Sequence, residues 1–241
     1  MLFSFEDFRG YVVRASDDDV GSLDDVLFED TTSVVRYLVV ETGSWLFGRR
    51  VLLAPAAFGR VEHDARTITT GLTTAQVKDS PDVDAERPVS RQKEEALHAH
   101  YGWAPYWAGA PAYGGLAPYW GGVGFTPPPP ADNPVEREVA EMERQQGDPH
   151  LPSAREVIGY YVAATDGDIG HVEDLLIDDA SWMIRHLVID TRNWLPGRKV
   201  LVDPDRLRSV DWAERHIVLA ISRREVERSP EFDRSLIAAP G

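Results

Sequence analysis

The chain repeats itself. Gly21 and Gly170 sit in matching contexts 149 residues apart, and the same offset pairs Tyr11 with Tyr160, Asp25 with Asp174, Arg36 with Arg185 and Thr42 with Thr191. It also pairs Trp45 with Trp194, Gly48 with Gly197, Pro55 with Pro204, and Ser80-Pro81 with Ser229-Pro230. The register holds without a gap from Tyr11 to Asp84. About a third of the aligned positions are identical, and others exchange like for like, as Val20 with Ile169 and Glu41 with Asp190. Self-similarity at a fixed offset decides the architecture before any local feature does. It divides the chain into copy one, 1–84, a connection, 85–154, and copy two, 155–241. A unit of roughly 75 residues can fold alone, but only marginally. The expectation is that each copy closes its own hydrophobic interior.

Within a copy the pattern is that of short strands. Tyr11 to Ala15 reads as a strand, Ser22 to Glu29 as a second, and Val34 to Glu41 as a strong β-branched third, mirrored by Met183 to Asp190. Arg49 to Ala54 is a further strand that stops at Pro55, and Val61 to Gly71 makes a last pair turning near Asp64-Ala65. The copies close with short helices, Thr73 to Ser80 and Ser222 to Ser229, each opened by a hydroxyl residue suited to an N-cap. Many short strands separated by turn residues imply an all-β barrel or sandwich. A barrel this small fills with its own side chains.

The connection is different in kind. Glu86 to His100 is charged and reads as a short polar helix or a frayed tail; Tyr101 to Phe125 is rich in Gly, Pro, Tyr and Trp. Pro127 to Pro130 favours a stiff extended spacer, and Pro134 to Gln146 is highly charged. So long a segment reads as an interdomain link, not as a loop of one compact domain.

Bulk chemistry narrows the function. The net charge is −15, and each copy is acidic by itself: 8 basic against 15 acidic residues in 1–84, and 12 against 16 in 155–241. This argues against a nucleic-acid partner, which needs a clustered positive field. It argues equally against docking on an anionic membrane. The absence of cysteine excludes disulfides and thiolate-held metals. The first residues lack a basic stretch followed by an apolar run, and no segment approaches the ~20 apolar residues of a membrane helix, so the expected location is cytoplasmic.

The combined pattern resembles the PRC-barrel family. The resemblance rests on Asp168-Ile169-Gly170-His171-Val172-Glu173-Asp174-Leu175-Leu176-Ile177-Asp178, on Ile184 to Thr191, and on Trp194 to Leu201. Copy one repeats it at Asp19 to Glu29, Val35 to Thr42 and Trp45 to Leu52. The family includes the cytoplasmic barrel of the photosynthetic reaction-centre H subunit, the C-terminal domain of a ribosome-maturation factor, and many stand-alone bacterial proteins. The resemblance implies two six-stranded, partly open barrels, each with a short C-terminal helix, and no common enzymatic activity. It admits a reaction-centre-like role in light-driven electron transport, or a role in ribosome maturation. The tandem arrangement, with no membrane helix, is nearest to the stand-alone group.

The acidic turns Asp17-Asp18-Asp19 and Asp166/Asp168 hold oxygen ligands for a hard cation, but without EF-hand spacing they read as turn residues. In Asp24-Asp25 and Glu173-Asp174, neighbours along a strand face opposite sides, which suits solvated or ion-paired side chains and not a converging acid/base couple. Arg36 and Arg185, mid-strand, suggest ion pairs with nearby carboxylates. Glu94 and His98 can share a helix face, with no full metal-ligand set beside them. The partner-contact candidates are Trp45 and Arg49, Trp194 and Arg198, and the repeated linker phrase Tyr106-Trp107 and Tyr119-Trp120. Aromatic and Arg side chains are the usual anchors of an interface. No nucleophile elbow, phosphate loop or zinc-protease helix occurs. The expected function is therefore a non-enzymatic, protein-binding assembly module, with no catalytic, cofactor or metal site, in which the barrels pack as an intramolecular pseudo-dimer or the chain forms homo-oligomers.

Overall fold

A computed structural model of the chain describes residues 1–43, 48–81, 91–106, 151–191 and 198–237. Copy one contributes β2 (Val12–Arg14), β3 (Asp19–Phe28), β4 (Val35–Glu41), β5 (Arg50–Leu53), β6 (Phe58–Glu62) and β7 (Thr67–Thr70). They pair in the order β5-β4-β3-β2-β7-β6, antiparallel throughout except for parallel β2 and β7. Copy two repeats this order with β8 (Tyr161–Ala164), β9 (Gly167–Asp178), β10 (Met183–Asp190), β11 (Lys199–Val202), β12 (Leu207–Asp211) and β13 (His216–Leu219). The long strands β3 and β9 each carry bulges, the irregularity that lets a small sheet curl. Two short helices, α2 (Thr74–Lys78) and Arg223–Glu227, carry full capping boxes, from Thr73 with Gln76 and from Ser222 with Glu225. Among the described residues no helix is long and apolar enough to cross a membrane.

Gly21 and Gly170 show why the copies share one shape. A Cβ on Gly21 would lie 2.0 Å from the Glu41 carbonyl oxygen, and one on Gly170 would lie 1.8 Å from that of Asp190. The crossing of β3 on the end of β4, and of β9 on the end of β10, is open only to glycine.

The repeat extends upstream of Tyr11. A three-residue strand, β1 (Leu2–Ser4), leads into a one-turn helix, α1 (Phe5–Phe8). Strand β1 does not join its own sheet. It pairs with β9 of the other copy, Leu2 opposite Asp178, Phe3 opposite Ile177 and Ser4 opposite Leu176, and makes that sheet seven-stranded. The matching segment of copy two does the same in reverse. Ser153 bridges to Leu27, the Phe28 N–H donates to the Pro152 carbonyl at 3.1 Å, and the helix Ala154–Val157 follows. Residues 151–153, within the stretch 85–154, thus pack as the counterpart of β1.

A second seam runs between the β3–β4 and β9–β10 turns. The Val35 N–H donates to the Trp182 carbonyl and the Ile184 N–H to the Ser33 carbonyl, both at 2.8 Å, and Val34 faces Met183 across an antiparallel bridge. Val34 and Met183 are equivalent positions of the repeat, so this bridge lies on a pseudo-twofold axis.

These exchanges overturn the expectation of separate interiors. One continuous apolar cluster runs from Phe3, Phe8 and Val26 in copy one to Val157, Leu175 and Ile189 in copy two. The physical reason is size: a unit this small gains most by burying apolar surface against its twin.

The outer sheet faces are covered differently. In copy one Leu27, Tyr37, Val39 and Leu52 lie under Leu97 of α3 (Arg91–Tyr101) and under Leu151. In copy two Leu176, Val188 and Leu201 lie under Ile237, with Leu2 and Phe232 alongside. Within the charged start of the connection, Arg91–Tyr101 is therefore a helix docked on copy one.

Candidate functional site

Among the described residues, the seam between the copies carries an extended network of buried polar groups. Ser4 and Ser153 are the N-caps of the two one-turn helices, and each reaches into the opposite barrel. The Ser4 hydroxyl donates to Asp174, whose Oδ1 accepts the Glu6 N–H at 3.2 Å and the Leu175 N–H at 2.8 Å. The Ser153 hydroxyl donates to Asp25, whose Oδ1 accepts the Arg155 N–H at 3.2 Å and the Val26 N–H at 2.8 Å. The two sites are one site written twice.

Both acids are buried. Burial pushes the Asp174 carboxyl up to about 6, against the pull of its hydrogen-bond donors. Asp25 is raised by burial in the same way, opposed by Ser153 and the Arg155 N–H. Sequence reasoning expected these residues to be solvated or ion-paired. That holds for their strand neighbours: Asp24 pairs with Arg155 at 3.0 Å, and Glu173 pairs with Lys199. For Asp25 and Asp174 it is corrected, because the helix each one caps arrives from the other copy. The signal was available, since the offset also matches Ser4 with Ser153 and Gly10 with Gly159.

Ion pairs ring the seam. The Met1 ammonium approaches Asp178 at 3.3 Å and also pairs with Asp179, His63 lies 3.4 Å from Asp179, and Arg234 lies 3.3 Å from Asp7. The Ser181 hydroxyl and the ammonium hold the Asp178 carboxyl down at about 2. These pairs are partly exposed, and such pairs contribute little each. Chemically the seam fastens: its carboxylates are enclosed by the donors they bind.

The second polar cluster lies under α3. Glu94, Leu97 and His98 fall on one helix face and are buried against the sheet. The Tyr37 hydroxyl donates to Glu94 at 2.9 Å and lies 2.9 Å from His98 Nε2; Tyr106 donates to the same Glu94 oxygen at 2.8 Å. Arg36 stacks on the Tyr106 ring at 4.2 Å and pairs with Glu29. Tyr101 and Trp103 stack at 4.3 Å, so the first aromatics of the connection are packed. Copy two has His186 where copy one has Tyr37, paired at 2.6 Å with Asp203 where copy one has Ala54. Only copy one therefore presents the hydroxyl around which α3 is organised.

Arg49 donates to the Lys78 carbonyl at 3.1 Å and to Ser80, and Arg198 to the Ser229 carbonyl at 3.3 Å, so both tie strand starts to helix ends. Tyr106 is likewise engaged inside the molecule. Trp45, Trp194, Trp107, Tyr119 and Trp120 lie outside the described residues. Arg185 lies 3.5 Å from Asp178. Asp17 accepts the N–H and hydroxyl of Thr74, which hold its carboxyl below the usual range, and Asp166 accepts the Arg223 N–H at 2.7 Å, so the acidic turns cap the closing helices. Among the described residues no three metal-ligating side chains gather.

Comparison with known proteins agrees with this architecture. The PRC-barrel domain model matches residues 1–71 and 152–225. A protein of Deinococcus radiodurans, described as uncharacterized, is 35% identical over 75 residues, 31% of this chain and 27% of that protein. The match thus spans about a quarter of that relative's length. The two stretches matched by the domain model begin with the exchanged segments and enclose both sheets, and together they exceed half the chain: this protein belongs to the PRC-barrel family and carries the domain twice.

Proposed function

We propose that this chain is a non-enzymatic adaptor, a fused PRC-barrel pair that offers one composite surface to a protein partner. The observation that carries this reading is the reciprocal capping of Asp25 by Ser153 and of Asp174 by Ser4. These buried polar groups hold two barrels in a fixed relation, as a scaffold requires and as a catalytic couple does not. The partner-binding element is the aromatic stretch 107–125, which follows the docked α3 and Tyr106 along the chain. Its Tyr and Trp content matches that of interface anchors.

The test uses the tagged full chain and a variant lacking residues 107–125, which leaves α3 and Tyr106 in place. Co-purification from the native host identifies a candidate, and titration of that purified candidate measures affinity. The reading predicts saturable binding by the full chain and at least about a tenfold loss in the variant. Equal binding by both chains contradicts the aromatic anchor. Turnover of a small molecule by the purified chain contradicts the non-enzymatic role.

A further inference from the structure

The two barrels are equivalent by sequence but not equally filled. Trp182 and Ser33 occupy matching positions with the same left-handed backbone, φ 54° and 57°. Each projects from a turn of one copy toward the barrel of the other. Trp182 enters barrel one and places its ring 6.2 Å from Phe8, 6.2 Å from Phe58 and 6.3 Å from Phe3. Ser33 reaches barrel two with a hydroxymethyl group alone. The walls it meets are also smaller: Val157 stands where copy one has Phe8, and Leu207 where it has Phe58. Trp212 in place of His63, and Phe28 in place of Ile177, restore only part of that volume.

What remains is a cavity of about 370 Å³ at the mouth of barrel two, lined by Ser33, Val157, Leu175, Ile184, Leu207 and Trp212. That volume falls within the range of small-molecule sites, roughly 300–1,000 Å³. Its deep wall is apolar, and its rim carries Asp30, Asp205 and Arg208.

We propose that this cavity binds a small planar aromatic molecule of indole size. The twin barrel shows the fit, because there an indole occupies the equivalent position against the equivalent walls. At the rim Asp30 and Asp205 are offset by Arg208 and by Arg206, which lies 3.7 Å from Asp205, so the apolar wall and not charge selects the ring. The site is composite: copy one supplies Phe28, Asp30, Thr31 and Ser33, and copy two supplies the rest.

The experiment titrates indole, tryptamine and indole-3-acetate into the full chain, following methyl resonances of Val157, Leu175, Ile184 and Leu207. Saturable one-to-one shifts confined to these methyls are expected for indole, with similar affinity for tryptamine and indole-3-acetate. Ser33→Trp and Val157→Phe, which rebuild the filling of barrel one, are each expected to weaken indole binding at least about tenfold while the remaining spectrum is kept. Either variant suffices if the other fails to fold. Absence of saturable shifts for all three probes overturns the proposal, as does unchanged affinity in a folded variant of either kind.

Discussion

Asp25 and Asp174 hold the same position in two copies of one sequence, and each is buried against a helix that begins in the opposite copy. The serine that caps that helix is also the residue that docks it. Local helix chemistry and long-range assembly are therefore the same contact.

Removing one such acid separates the two roles. Asp174→Ala leaves the Ser4 hydroxyl and the Glu6 N–H facing an empty site, so we expect a loss of about 1–3 kcal/mol at neutral pH, read by urea unfolding. Asp174→Asn keeps a carbonyl oxygen for the two N–H donors and removes the buried charge. It is expected to match or exceed the parent in stability at the same pH.

The raised carboxyl also sets a pH dependence. Asp174 titrates at about 6 in the fold, against an ordinary 3.8. The native state therefore holds the proton more tightly, and the stability this confers is complete below the ordinary value. It is lost as pH rises through 6, a contribution of roughly 2–3 kcal/mol. Asp25 shifts in the same direction. Unfolding free energies measured between pH 4 and pH 7 should fall with rising pH more steeply in the parent than in Asp174→Asn.

Glycine at the strand crossing admits no substitute. Gly170→Ala would place a methyl 1.8 Å from the Asp190 carbonyl oxygen, inside any permitted contact. Backbone must move, and we expect a cost of about 3 kcal/mol or more, seen as a lowered thermal midpoint. The same outcome is expected for Gly21→Ala, because the copies share the crossing.

Docking of α3 depends on one hydroxyl. Tyr37→Phe removes the group that meets both Glu94 and His98, at an expected cost of about 1–3 kcal/mol. Hydrogen exchange should accelerate across residues 91–101 while β3 and β9 keep their protection.

The repeat, the succession of strands along each copy and the two capped closing helices were legible in the sequence, because each is written in local periodicity or in a fixed offset; the order in which the strands pair was not. What stayed hidden depends on the other copy. Strand β1 is three residues long and finds its partner at residues 176–178, so no local pattern announces it. The helices Phe5–Phe8 and Ala154–Val157 are a single turn each, too short for propensity to register. Asp25 and Asp174 looked solvated because strand alternation assigns them a face but does not say that a foreign helix covers it. The packing of Glu94 and His98 against Tyr37 follows the helix face they share, whereas the burial of that face required the sheet beneath it.

The two copies form one intrachain pair about the axis through Val34 and Met183. The chain contains no cysteine, so Val34→Cys with Met183→Cys introduces a single possible disulfide. Residues facing across an antiparallel bridge lie about 4.5–5.5 Å apart at Cα, within disulfide reach. Mild oxidation at low protein concentration should convert the double variant to a faster-migrating, intramolecularly cross-linked monomer. A chain that stays reduced, or that links only to other chains, would contradict the paired arrangement.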